Sequence, residues 1–195
     1  MRTNDIRKLV TTAILIALTV VFQLLRPVLG GSNIISTYII GSLINLTLII
    51  AAVAVGLWSG MAVAVVAPLF ALLQSHATLP MMPWIIAGNA VLVLLYALFA
   101  RKDQASLKVT WVRWSVVGVI AALVKFCVIT LGQALVLTSA KGLAFGAALA
   151  VAAPAQFVQI VTALVAMVLA GLIIPALPAE ALGLKAAKKG TAANG

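Results

Sequence analysis

The stretch Val116–Leu131, with the sequence VVGVIAALVKFCVITL, decides the fold class of this chain. It is apolar enough to cross a bilayer, and yet it carries a cation, Lys125, well inside it. A lysine at membrane depth costs roughly 3 kcal/mol on insertion scales, unless its ammonium reaches water, a partner or an anionic ligand. The stretch therefore predicts a membrane-spanning helix in which Lys125 has a specific role.

Composition places the whole chain in the same class. Of the 195 residues, 65% are hydrophobic and 8% are charged, and the mean hydropathy is +1.26. Soluble domains carry about 25% charged residues. A spanning helix needs about 20 apolar residues, so the chain has room for about six crossings and for no soluble domain. We therefore expect an all-α integral membrane protein that forms a single transmembrane domain over residues 1–195.

Glycines, prolines and polar breaks divide the chain into apolar runs. The runs predict a compact bundle of six helices, at about residues 9–25, 37–56, 61–73, 84–100, 112–131 and 154–174. A tight reversal is expected at Gly56–Gly60, because residues 37–74 are too long for one crossing. The N-terminal segment lacks a small-residue cleavage site, so we expect it to stay attached as the first helix.

Residues 132–153 have an intermediate character. Gln133, Ser139 and Lys141 make the segment too polar to span, but it is apolar enough to fold over the bundle. The pattern leaves a lid, a loop and a re-entrant helix open. Residues 175–195 are predicted to form a basic cytoplasmic tail.

The distribution of basic residues predicts the orientation. The net charge of +10 comes mainly from segment ends, which indicates topology rather than a nucleic-acid surface. With a cytoplasmic N-terminus, ten basic residues lie inside and two outside. The ten are Arg2, Arg7, Lys8, Arg101, Lys102, Lys108, Arg113, Lys185, Lys188 and Lys189, and the two are Arg26 and Lys141. Both termini are therefore predicted to be cytoplasmic, with the loops after helices one, three and five outside.

Depth along the predicted helices brings several polar side chains to one layer. At about 1.5 Å per residue, Lys125 lies in the outer third of a core about 30 Å thick. Asn89, Gln156 and Gln159 fall in the same outer layer, and Gln74, His76 and Gln133 belong to outer loops. These residues predict a water-accessible pocket that opens outside, in which Lys125 pairs with an anion such as a carboxylate.

Other roles for these residues remain open. Lys125 is close enough to the outer boundary for its ammonium to extend to lipid headgroups. The amide side chains can bond across helices, and His76 can be an ordinary loop residue. Ala13 and Ala17, four residues apart on one face of helix one, allow another helix to approach closely, either within the bundle or from a partner.

Several kinds of site are missing from the sequence. It has no phosphate-binding G-x-x-x-x-G-K-[ST] loop, no H-E-x-x-H and no metal-spaced cluster, and the single Cys127 excludes an internal disulfide. The acidic residues Asp5, Asp103 and Glu180 all lie outside the predicted helices, whereas proton-coupled carriers usually hold a carboxylate within the membrane. The chain is thus expected to bind a solute without a cofactor, and it has no evident means of driving uphill transport.

The layout resembles the substrate-binding S component of an energy-coupling factor (ECF) transporter. The resemblance rests on the basic N-terminus, the stretch TTAILIALTVVFQLL with Ala13 and Ala17, six helices in under 200 residues, polar outer loops and the lysine-rich tail. It implies that Ala13 and Ala17 dock onto a transmembrane coupling subunit, which two ATPase subunits drive. It also implies a pocket in the outer parts of helices four to six, and toppling of the protein to release a vitamin inside.

We therefore interpret the chain as a multi-pass protein of the bacterial plasma membrane that captures a vitamin-like, carboxylate-bearing solute for an ATP-driven importer. A self-sufficient permease is the first alternative, although the inner halves of helices four to six offer mainly Ala, Leu and Val rather than a polar path. A membrane enzyme would need an acid, base or nucleophile set that is not evident. A structural or assembly role, with polar residues joining helices, remains open.

Overall fold

The computed structural model describes residues 3–31, 33–100 and 110–177, and this part of the chain is all-helical. Its α-helices are α1 (Thr3–Leu24), α2 (Ile34–Ile50), α3 (Leu57–Leu73), α4 (Met82–Leu95), α5 (Trp111–Lys141), α6 (Phe145–Gln156) and α7 (Val158–Ile173). Because α6 and α7 follow each other almost without interruption, they form one bent rod. The described residues thus form six helical rods, which confirms the predicted six-helix fold.

Short π-helical and 3-10-helical segments extend three of these rods, and the 3-10 segments are Leu79–Met81 before α4 and Ile174–Ala176 after α7. A π-helical segment, Ala51–Val55, continues α2, and another, Tyr96–Ala100, continues α4. Four rods are long and apolar enough to cross a membrane: Ile34–Val55, Leu79–Ala100, Trp111–Lys141 and Phe145–Ala176. The helix Leu57–Leu73 is apolar but shorter, as its sequence predicted.

The reversal between α2 and α3 is tighter than the sequence predicted. It occurs at Gly56, whose φ of 143° is in a region that favours glycine, and Leu57–Gly60 already forms the first turn of α3. Pro68 lies inside α3 without ending it. At the other end of α2, Asn33 caps the helix by accepting a 2.7 Å hydrogen bond from the Ser36 backbone N–H.

The fifth helix extends ten residues beyond the predicted end at residue 131, and residues 132–153 belong to a helical hairpin. α5 continues to Lys141, and Gly142 ends it in the left-handed conformation with φ 66°. α6 then packs back against α5 through the buried small side chains of Ala134, Ala148 and Ala152. The sixth predicted helix therefore begins at Phe145 rather than 154, and the rod bends after Pro154, where α6 gives way to α7.

The two halves of the bundle differ in how they are filled. One half, which we call the packed half, contains the C-terminal parts of α2, α4 and α7 and the N-terminal parts of α3 and α5. Fully buried apolar residues such as Leu48, Val63, Leu92, Ala121 and Ala166 fill it. The opposite half, where the α1–α2 and α3–α4 connections lie, contains a cavity, and we call it the cavity half.

Several residues used to predict orientation lie outside the described part of the chain. They are Arg2, the basic segment within 101–109 and the tail beyond residue 177. The cytoplasmic location of both termini therefore stays a prediction.

Candidate functional site

A cavity of about 280 Å³ lies in the cavity half, lined by residues from α1 to α7 and from the connecting segments. Five of the seven residues predicted to form the pocket line it: Lys125, Asn89, Gln156, Gln159 and His76. Gln74 and Gln133 do not line the cavity, but Gln133 accepts a 2.7 Å hydrogen bond from Gln156. The structure thus brings together residues that lie up to 83 positions apart, from His76 to Gln159. Their role as ligands stays a prediction.

Lys125 lies inside the bundle, where only 3% of its surface is exposed. Its Nζ donates a 2.5 Å hydrogen bond to Asn45 Oδ1. Asn45 Nδ2 donates in turn to Thr162 Oγ1 at 3.1 Å, and Thr162 donates to the Val158 carbonyl at 2.9 Å. The ammonium is therefore directed toward the helices α2 and α7, not along the lipid-facing surface to the headgroups.

A glycine lets α4 approach α5 closely at this point. A Cβ at Gly88 would lie 3.4 Å from Lys125 Cγ and 2.6 Å from Ile129 Cγ1. Because such a contact is shorter than real Cβ atoms show, only glycine permits the observed separation of the two helices. This close approach fixes the stem of Lys125 and places Asn89, the next residue along α4, beside the same cavity.

Three glutamines connect the bent rod to α5. Gln159 Nε2 donates to Gln156 Oε1 at 3.3 Å, and Gln156 Nε2 donates to Gln133 Oε1 at 2.7 Å. The bend between α6 and α7 lies between Gln156 and Gln159, so that both amides reach the cavity. Asn89 makes a long 3.5 Å hydrogen bond to the Ala64 carbonyl, which leaves its amide weakly held. The cavity wall therefore offers neutral groups that can both donate and accept.

Arg26 is a lining residue that the sequence reasoning missed, because it was counted as an orientation signal. It follows α1 and is 6% exposed, and its Nε and Nη1 are buried without a hydrogen-bond partner. The loop that carries it closes through a 2.9 Å hydrogen bond from the Gly31 N–H to the Arg26 carbonyl. A signal was present: Arg26 is the only cation between Lys8 and Arg101.

Burial and charge determine the protonation of the two loop residues. Burial lowers the pKa of Arg26 from its ordinary value, but an arginine keeps its charge in proteins. Burial, and then the positive charge of Arg26, lower the pKa of His76 below 6.5. His76 is therefore neutral at pH 7 and does not add a third positive charge to the cavity.

Among the described residues, no carboxylate lines the cavity. The chain has three acidic residues, and the one in the described ranges, Asp5, is exposed in the first turn of α1. The positive charges of Arg26 and Lys125 are thus not balanced within the cavity. A buried cation without a counter-charge favours an anionic ligand.

Ala13 and Ala17 lie on the outward face of α1. Both are exposed, whereas Leu15 and Thr19 point into the bundle, where the Thr19 and Thr47 hydroxyls hydrogen-bond at 2.9 Å. The small residues therefore do not pack inside this bundle. Their predicted use in docking remains a prediction.

A family model described as the substrate-specific component of the ECF transporter matches residues 7–178. The chain belongs to this family. As an S component it is a subunit of a transporter, and the match includes every residue that lines the cavity. Comparisons with curated proteins and with solved structures gave no match. Within the described ranges of this S component, no group of three His, Cys, Asp or Glu side chains could hold a metal ion.

Proposed function

We propose that this S component captures a vitamin-like, carboxylate-bearing solute from outside a bacterial cell and passes it to an ATP-driven ECF module. The observation that carries the proposal is Lys125. Its buried ammonium contacts the neutral Asn45 amide, in a cavity where none of the described lining residues is a carboxylate. A solute carboxylate would supply the missing counter-charge through a charge-assisted hydrogen bond.

The neutral amides support binding of the rest of the solute. Asn89 lines the cavity from α4, and Gln156 and Gln159 line it from the bent rod of α6 and α7. Amides can match donors and acceptors alike. Such a lining gives specificity, because a solute that lacks the matching polar groups leaves buried amides unpaired.

The dense packing of the packed half indicates that release of the solute needs partner subunits. Fully buried residues such as Leu48, Leu92 and Ala121 fill it, and none of the cavity's polar lining continues through it. The described residues therefore offer a solute in the cavity no polar route to the other side of a static bundle. Release requires a movement of the whole protein or of its helices, for which the chain has no nucleotide-binding loop. In the proposal, a transmembrane coupling subunit and two ATPase subunits supply that energy.

Orientation and docking complete the proposal. The excess of basic residues on the predicted inner side would place the cavity half toward the outside. Ala13 and Ala17, exposed on α1, would then form the surface against which the coupling subunit packs.

Mass spectrometry of the purified protein tests the binding role. The full chain is purified in mild detergent and denatured, and any compound present at about one per protein is identified. We expect a compound with at least one carboxylate, and we expect Lys125→Met to lose it. Lys141→Met, which removes an exposed cation at the end of the same helix, is the control. Retention of the compound by Lys125→Met would refute the proposal.

A further inference from the structure

The cavity contains two cations that come from different parts of the fold. Lys125 projects from the middle of α5, and Arg26 lies in the connection between α1 and α2. Both line the same cavity, and both are more than nine-tenths buried. Lys125 has been used above to explain binding of one carboxylate, which leaves Arg26 without a function.

The hydrogen bonds of the two cations differ. Lys125 Nζ donates to Asn45 Oδ1, so at least one of its three donors is already used. Arg26 has two buried nitrogens, Nε and Nη1, for which the structure gives no partner. A buried donor without a partner costs about 1–3 kcal/mol, and more when it is charged. The protein therefore maintains an unfavourable arrangement at Arg26 that a ligand would relieve.

The described residues offer no group that could neutralise Arg26. None of those that line the cavity is a carboxylate, and the neighbouring His76 is neutral or positive but never negative. A solute with one negative charge would balance either Lys125 or Arg26 and leave the other cation unpaired. A solute with two negative charges would balance both.

We propose that Arg26 forms a second anion-binding subsite, so that the solute of this S component carries two acidic groups, one held by Lys125 and the other by Arg26. This inference rests on the proposed function, since it concerns the same cavity. The guanidinium, with several donors in one plane, suits a carboxylate or a phosphate group. The volume of about 280 Å³ is at the lower end of the range for small-molecule sites and indicates a compact solute.

The test compares diacids with their monoesters. The probes are glutarate, adipate and pimelate, each paired with its monomethyl ester, which has one negative charge fewer and nearly the same shape. Affinity is measured by calorimetric titration of the full chain in detergent after removal of any copurified compound. For the best-fitting length, we expect wild type to bind the diacid about 10- to 100-fold more tightly than the ester, the range for one charged hydrogen-bonding group.

Two substitutions of Arg26 separate its charge from any effect on folding. Arg26→Gln should reduce the diacid's affinity to within about threefold of the ester's, because one subsite is lost. The ester's own affinity should fall by no more than about twofold, because its single carboxylate still binds Lys125. Arg26→Lys keeps the positive charge and should keep most of the preference for the diacid. Lys141→Met should behave like wild type with both compounds.

The outcomes distinguish this inference from the proposed function. If Arg26→Gln changes nothing and Lys125→Met abolishes binding of diacid and ester, the second subsite is refuted and the single carboxylate site stands. If neither substitution affects binding, both ideas are refuted. If no diacid binds wild type at about 1 mM, where even weak ligands are detected, the two-anion inference is overturned. The mass-spectrometric identification then still decides the proposed function by itself.

Discussion

Replacing Asn45 by aspartate tests the electrostatics of the site with almost no change in shape. In the structure, Asn45 Oδ1 accepts a 2.5 Å hydrogen bond from Lys125 Nζ. Asn45→Asp would put a negative charge at this position and convert the contact into an ion pair. The second carboxylate oxygen would take the place of Nδ2, and the Thr162 hydroxyl, 3.1 Å away, would turn its hydrogen toward it.

The expected effects on stability and on binding have opposite signs. In the ligand-free protein the new pair compensates a buried charge, so the free energy of unfolding should rise, by about 1–3 kcal/mol for a charged hydrogen bond. For a solute carboxylate paired with Lys125, the new charge would lie about 5 Å away. Coulomb's law with an effective dielectric constant of about 20 then gives a repulsion of about 3 kcal/mol, or a loss of affinity of about 100-fold.

The assay combines thermal unfolding in detergent with titration of the compound identified by mass spectrometry. Asn45→Leu is the matched control, because it removes the acceptor and leaves Lys125 positive. It should lower the unfolding midpoint and leave the affinity of the folded protein within about fivefold of wild type, since the anion's counter-charge remains. Unchanged affinity in Asn45→Asp would show that Lys125 does not bind an anion, and the reasoning about the cavity would be refuted.

Three other substitutions address docking, helix packing and a buried hydroxyl. Ala13→Trp should abolish uptake by cells and spare solute binding in detergent, because a bulky side chain would block close approach of a partner helix. Val119→Trp, at another exposed position, is the control and should leave uptake intact. Normal uptake by Ala13→Trp would refute the docking role. Gly132→Val should lower the unfolding midpoint by several degrees, because a side chain at this position of α5 would collide with the indole ring of Trp84 on α4. Gly146→Val is the control, because no atom lies within 4 Å of a Cβ at Gly146. Equal unfolding midpoints for Gly132→Val and Gly146→Val would contradict the close packing of α4 against α5. Tyr96→Phe should keep or raise the midpoint, since the Tyr96 hydroxyl is buried without a hydrogen-bond partner, and a marked drop would show that it has one.

The number of helices could be predicted because hydropathy measures what a bilayer requires. The C-terminal end of α5 was predicted wrongly, because the prediction used the polar residues Gln133 and Ser139 to mark the end of the helix. Polar residues end a span, but they do not end a helix that continues beyond the hydrocarbon. The structural stop is Gly142, which follows a lysine in the last turn, and this C-cap pattern was visible in the sequence.

The helix-borne part of the site could be predicted because a constant rise per residue converts sequence position into depth. Lys125, Asn89, Gln156 and Gln159 meet at the cavity for this reason. Depth does not give the direction in which a side chain points, so the partner of Lys125 on α2 was not found. The same depth calculation cannot place Arg26, because the course of the α1–α2 connection depends on local turns rather than on a helical period.

The length of α5 has a consequence for the thickness of the surrounding membrane. Its 31 residues extend about 46 Å, and an ordinary tilt of about 20° reduces the height to about 44 Å. A hydrocarbon core of about 30 Å leaves more than ten ångströms of this helix among the headgroups. The end with Gln133 and Lys141 is the polar one, and it borders the cavity through Gln156. A thicker bilayer would draw this polar end into hydrocarbon and a thinner one would expose more of it, so we expect the hydration of the polar end to depend on bilayer thickness.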